Sequence, residues 1–326
     1  IQKLMHKSKP ILIVAGEPFS VFLEIFFKSK KIKSIKKKTV LIVSKKLLLS
    51  QMKKLKFDYP INEIDSKKIN YKSLSYNKIN IIDVKFNFKK TFDKISDKSN
   101  KYINECFKIA LDLLETNKYS GLVNGPISKK HFLKEKFLGI TEYLADKKNQ
   151  KNKVVMLIYN KKLSVSPLTT HLPLKDVHKN LSKEKIINHV IIINKFYKQR
   201  FKKDPRIAIT GLNPHCESNY KSSEEKHVIR PAIKALIKKN YKVNGPFPAD
   251  TLFMTEYSKK YDVILGMYHD QVLVPAKTLF SFNAINVTLG LPFIRVSPDH
   301  GPNTEMLGKN ISNPQSLIEA LKFLSK

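Results

Sequence analysis

Three of the nine histidines fall in short polar clusters just after apolar runs. His171 lies in Thr170-His171-Leu172-Pro173, His215 in Asn213-Pro214-His215, and His269 in Tyr268-His269-Asp270-Gln271. Polar groups at the end of a buried strand belong at the carboxyl edge of a sheet, where α/β proteins bind ligands. Three neutral imidazoles meeting there can hold a divalent ion and leave positions open, as a catalytic metal requires. The competing account is that each ring caps a turn. The three are far apart in the chain and lack the close pairing of a zinc finger, so spacing alone does not choose.

Lys277, Asn286 and Arg295 follow His269, spaced nine residues apart from one another, each beside an apolar segment. Lys and Arg suit phosphate or carboxylate, and Asn can orient a ligand by donating and accepting. Thr141 can offer its hydroxyl to phosphate or cap the helix beginning beside it. Asp250 and Asp270 are candidates for orienting an imidazole or moving a proton.

Several of these residues sit in longer motifs. Met267-Tyr268-His269-Asp270-Gln271, Lys277, the run NVTLGLPFIR from Asn286 to Arg295, and Asp299-His300-Gly301 closely resemble the 4-hydroxythreonine-4-phosphate dehydrogenases of pyridoxal phosphate biosynthesis. NGPISK from Asn124 resembles that family's TAPINK-like loop. GITEYL from Gly139 resembles its GHTEYL, with Ile140 where the family has His. GEPFSVFLE from Gly16 matches the family's glycine-rich GDPAGIGPE-like turn only in part, and the first hundred residues resemble it weakly. Val272 and Pro302 also depart from the pattern, as do the missing glycines after His215.

The resemblance implies that His171, His215 and His269 bind one divalent metal ion (zinc, magnesium or cobalt); these three are expected to be catalytic, with Asp250 and Asp270 beside them as candidates on their own chemistry. It implies substrate contacts at Thr141, Lys277, Asn286 and Arg295. It implies oxidation of 4-phosphohydroxy-L-threonine at its 3-hydroxyl by NAD or NADP, then metal-assisted loss of carbon dioxide to give 3-amino-2-oxopropyl phosphate. A homodimer with shared active sites is implied too. A dehydrogenase of phosphorylated threonate or erythronate, and a metal-dependent hydrolase without nicotinamide, are the alternative readings.

The elements that must position these residues alternate. Strands are expected at 10–15, 39–43, 79–84, 121–124, 154–159, 163–165, 206–209 and 263–265, with helices at 20–28, 102–118, 182–201 and 313–324. Residues 45–78 show no trusted motif. Pro231 should kink or interrupt the helix after Ser223. Alternation of this kind means α/β with mostly parallel sheets. No G-x-G-x-x-G occurs, so a dinucleotide site of the Rossmann type is not supported. The resemblance implies instead two α/β/α lobes, like isocitrate and isopropylmalate dehydrogenases, with the active site in the interdomain cleft. The expected domains are 1–126 plus 302–326, and 127–301, the latter carrying the metal ligands and dimer interface.

The formal charge of +34 suggests nucleic acid, but only four of the 61 basic residues are Arg: Arg200, Arg206, Arg230 and Arg295. Base and phosphate recognition favours the planar Arg fork. Lys spread evenly beside abundant Ile and Asn fits a solvated basic surface, so no specific nucleic acid is expected. No apolar run has the length to cross a bilayer. The first residues show no secretory pattern, and two cysteines cannot make a disulfide framework, so a cytoplasmic enzyme is expected.

Overall fold

The computed structural model describes residues 9–31, 35, 37–134, 136–137, 139–150, 153–216, 221–298 and 300–326. Residues 217–220, after His215, and Asp299 of the Asp299-His300-Gly301 motif lie outside these. The chain divides into two compact units, Ile1–Tyr143 with Pro292–Lys326, and Leu144–Leu291. The sequence placed the crossings at 126/127 and 301/302.

The chain opens with β1 (Ile11–Val14), α1 (Phe22–Lys30), β2 (Thr39–Val43), α2 (Lys45–Lys54), β3 (Ile61–Glu63), β4 (Ile79–Asp83), α3 (Asn100–Glu115) and β5 (Gly121–Asn124). Then α4 (Ile140–Lys147) runs on into the second unit. There follow β6 (Val155–Tyr159), β7 (Ser164–Pro167), α5 (Lys183–Phe201), β8 (Ile207–Thr210), α6 (Arg230–Lys238), β9 (Val243–Phe247), β10 (Val263–Gly266), α7 (His269–Phe280) and β11 (Ile285–Leu289). The chain returns to the first unit through β12 (Arg295–Pro298) and ends in α8 (Gln315–Ser325).

The first unit pairs its strands in the order β3-β4-β2-β1-β5-β12, every pair parallel. Strands such as Ile11–Val14 are buried at every position, as a sheet covered on both faces demands. The second unit runs β11-β6-β7-β10-β8-β9. Its β7, β10, β8 and β9 are parallel neighbours, while β6 runs antiparallel to both β7 and β11. The α/β architecture with mostly parallel sheets is thus the one the alternation of elements indicates.

Several elements differ from the expectation in detail. Residues 45–78 contain α2 and β3. Ser44 caps α2 by accepting from Leu47 N, and Leu47, Leu48, Gln51 and Met52 are buried. Val21, not Ser20, holds the N-cap position of α1, which starts at Phe22; the Ser20 hydroxyl still accepts from Phe22 N at 3.3 Å while donating to Glu17 O at 2.8 Å. The helical run after Ser223 is interrupted at Pro231 as expected: Glu225–Ile229 forms a π turn, and α6 takes over at Arg230 with the proline in its first turn.

Candidate active site at the carboxyl edge of the second unit

Strands β7, β10 and β8 lie side by side, with Gly266 opposite Pro167 and Leu265 opposite Ile209. Their carboxyl ends are therefore level. His171, His269 and His215 each follow one of these ends within a few residues. Thr169 ties the first two turns together: its amide and hydroxyl both donate to Met267 O, at 3.2 and 2.7 Å.

His269 starts α7, and its ring centroid lies 5.6 Å from that of His171, tilted by 39°. Its Nδ1 is 2.6 Å from Oδ1 of Asp270. An ionised carboxylate only accepts, so Nδ1 carries the proton and Nε2 keeps its lone pair for a ligand. This is the way metal-binding histidines are usually oriented. The His171–His269 pair thus fits a divalent ion in donor chemistry and proximity.

His215 occupies a different kind of position. It stands in a turn with φ of 58°, and Cys216 follows at 57°, two successive left-handed residues with side chains. Such backbone costs on the order of 1 kcal/mol or more per residue and must be held by its surroundings. Glu225 supplies much of that hold. Its Oε1 accepts from Leu212 N and Asn213 N, both at 2.8 Å, and its Oε2 from Asn213 Nδ2 and Ser223 Oγ, both at 3.0 Å. Burial alone would raise this carboxyl, but the Asn213 and Ser223 donors hold it below its ordinary value. Among the described residues no three His, Cys, Asp or Glu side chains stand grouped to hold a metal ion, so His215 is not gathered with the other two rings in this conformation.

The remaining candidates are distributed between the units. Asp250 is exposed in the short helix Ala249–Leu252, and its charge reaches the neighbouring Cys216 thiol, whose pKa burial chiefly raises. Lys277 is exposed in the last turn of α7. Asn286 lies on β11, with its buried Oδ1 unpartnered among the described residues. In the first unit, Thr141 is buried in the first turn of α4. Arg295 is 1% exposed and donates from Nε to Asn124 Oδ1 at 2.7 Å. Burial lowers its pKa and Glu142 opposes this, so it stays charged at neutral pH. His300 bonds its own turn, with Nδ1 2.8 Å from Gly301 O.

Thr169 and Glu225 were not singled out from sequence. The signal for Glu225 was present: an acidic pair, Glu224-Glu225, in a chain with only 27 acidic residues. His189, outside the site, is a packing group, buried on α5 with Nε2 2.7 Å from Ser166 Oγ.

Level strand ends bearing two adjacent imidazoles and a carboxylate are where α/β enzymes place their sites. The sequence model described as "Pyridoxal phosphate biosynthetic protein PdxA" matches residues 35–324, and the chain belongs to that family. It is 39% identical over 320 residues to the 4-hydroxythreonine-4-phosphate dehydrogenase of Sulfurihydrogenibium sp. (strain YO3AOP1), covering 96% of each chain. Its structure is similar to the crystal structure of 4-hydroxythreonine-4-phosphate dehydrogenase from Klebsiella pneumoniae, with a TM-score of 0.83 at 26% identity, over 98% of this chain and 100% of that one. A terephthalate 1,2-cis-dihydrodiol dehydrogenase from Burkholderia xenovorans LB400 shares the fold, with a TM-score of 0.65 at 16% identity over 98% of each chain.

Proposed function

We propose that this chain is a 4-hydroxythreonine-4-phosphate dehydrogenase: it oxidises 4-phosphohydroxy-L-threonine at the 3-hydroxyl and releases carbon dioxide and 3-amino-2-oxopropyl phosphate. The observation that carries this reading is the His171–His269 pair with Asp270 on Nδ1, at the carboxyl edge of a parallel sheet, in a chain of this family. Bound NAD or NADP would supply the hydride acceptor, and a bound divalent ion (zinc, magnesium or cobalt) Lewis acidity toward substrate oxygens.

The chain's own residues do the rest. His171 and His269 would hold the ion, His269 through the Nε2 that its bond to Asp270 leaves free, and His215 would complete the set by reorienting within its turn. Lys277, Thr141 and Arg295 provide positive charge and a hydroxyl for phosphate and carboxylate. The buried Oδ1 of Asn286 accepts a hydrogen bond from the substrate's amino group, which gives that atom a partner. Asp250 takes the proton that leaves the hydroxyl, because Asp270 is committed to His269. The same proton can return to the carbon that loses carbon dioxide, so the proton count closes on one carboxylate. The chain works as a homodimer in the cytoplasm.

The test is NADH formation from 4-phosphohydroxy-L-threonine at 340 nm, with zinc, cobalt or magnesium added to metal-stripped protein. Turnover that needs metal and vanishes in His269→Ala supports the assignment. Faster turnover of phosphorylated threonate or erythronate would move it to that substrate. Metal-dependent turnover with no NADH would make the chain a hydrolase.

A further inference from the structure

Glu17 stands in the turn after β1, at the carboxyl edge of the first unit's sheet, and is 2% exposed. Neighbours pin this turn at its backbone atoms on three sides. Glu17 N donates to Pro126 O at 2.9 Å, Val21 N donates to Pro302 O at 3.1 Å, and Pro18 O accepts from Gln51 Nε2 of α2 at 3.0 Å. The fourth side is closed by the segment 85–99, which reaches from β4 to α3 as an irregular loop ending in the short turn Asp97–Ser99.

Side chains fasten that segment. Phe86 meets Phe19 edge to face, with ring centroids 5.8 Å apart. Thr91 Oγ1 lies 2.7 Å from Ser50 Oγ, and Thr91 O accepts from Gln51 Nε2 at 3.3 Å. Ser99 Oγ reaches Glu17 Oε2 at 3.3 Å, but shares its one proton with Ser96 O at 2.9 Å. Glu17 Oε1 is buried and unpartnered among the described residues. A neutral acid is far less costly than an ion in such a place.

The charged group that acts on Glu17 is His131, on the helical turn Lys129–Leu133, which favours the ion. Its Nδ1 lies 2.9 Å from Asp97 Oδ1, and Asp97 also pairs with Lys134. The end of β5 (Asn124, Gly125 and Pro126), Gln51 of α2 and Pro302 bring no charge, and Lys85, Lys89, Lys90, Asp93, Lys94 and Lys98 of the segment itself are exposed. Burial outweighs Ser99, the Phe19 amide and His131, and pushes the carboxyl up to about 7.

We propose that Glu17 is a proton-operated latch on the segment 85–99: the neutral acid lets the segment seat over the turn, and ionisation loosens it. Once the segment lifts, water reaches Oε1 and the carboxyl returns toward its ordinary 4.5. The seated form therefore binds the proton more tightly, so seating weakens as pH rises from 4.5 to 7 and levels off above. The segment gives way before the turn does, because the turn is pinned at its backbone. Its release opens the edge beside Asn124, which holds Arg295. The latch depends on neither metal nor substrate.

The experiment is hydrogen exchange by mass spectrometry on the full-length protein from pH 5 to pH 8, expressed as protection relative to an unstructured chain. In wild type, protection of peptides covering 85–99 is expected to fall roughly tenfold or more over that range, while peptides from α5 keep theirs. Glu17→Gln, which cannot titrate, is expected to show no such fall. Ser99→Ala and His131→Gln each remove a group that favours the ion, so each is expected to carry the fall to higher pH. A fall that survives in Glu17→Gln, or vanishes in His131→Gln, would overturn the proposal. So would a loss of protection shared evenly by the whole first unit, which is general destabilisation. Should Glu17→Gln not fold, Ser99→Ala decides: a profile identical to that of wild type would overturn the latch.

Discussion

Nδ1 of His269 stands 2.6 Å from Oδ1 of Asp270, the next residue in the chain. The pairing places the ring proton on Nδ1 and leaves the other nitrogen of the imidazole available to a ligand. Asp270 is exposed, so its contribution to folding is small. Asp270→Asn is expected to weaken zinc or cobalt binding by about 10–100-fold and to leave the melting temperature of the metal-free protein nearly unchanged. Calorimetric titration with zinc checks it. Unchanged affinity would remove Asp270 from the site.

Asn124 is the acceptor for the buried Arg295 guanidinium, at 2.7 Å. Taking that acceptor away leaves a charged donor with less compensation for its burial. Asn124→Ala is expected to cost about 1.5–3 kcal/mol, read from urea denaturation. A loss below about half a kcal/mol would mean that Arg295 finds its compensation elsewhere.

Glu17 is 2% exposed, and burial pushes its carboxyl up to about 7 against the opposing hydrogen bond from Ser99. The folded protein therefore resists ionising it, and above pH 7 stability carries a penalty. As pH falls from 7 toward the ordinary value of 4.5, the folded state takes up a proton the unfolded chain does not, and the penalty disappears. Glu17→Gln is expected to be more stable than wild type at pH 8 by up to about 3 kcal/mol, with the advantage gone at pH 4.5. Equal urea midpoints at pH 8 would refute this.

His189 has the opposite sign. Burial, and then Lys185, push its imidazole down to about 3 from an ordinary 6.5. Below pH 6.5 the unfolded chain binds a proton that the folded chain refuses, so stability drains away as pH falls toward 3. His189→Gln keeps a donor for Ser166 Oγ and cannot titrate. Its melting temperature is expected to fall less steeply than that of wild type between pH 6.5 and 4.5, and parallel curves would count against the assignment.

Much of this architecture was legible from residue order. Buried strands such as Thr39–Val43 announce themselves as continuous apolar runs, and Ser182 marks the start of Lys183–Phe201, accepting from Lys185 N. Other elements were hidden for physical reasons. In α2 the stripe Leu47, Leu48, Gln51, Met52 is masked by four lysines and a buried polar side chain. The strand β3 has three half-buried or exposed residues and carries almost no pattern. The candidate site was legible as residue types at strand ends. What composition could not convey was backbone conformation: the left-handed His215 turn depends on Glu225 and Gln271, which come from other elements.

Because β7, β10 and β8 end at one height, the three histidines depend on loop length more than on helix length. Adding one residue to a turn leading to an imidazole would displace it by roughly 3.3 Å, more than a metal–nitrogen bond. Lengthening the connections at the opposite edge of the sheet would leave the rings where they are. Insertions and deletions should therefore be tolerated very unequally by the two edges, and an engineer grafting new segments onto this scaffold would start from the amino ends of those strands.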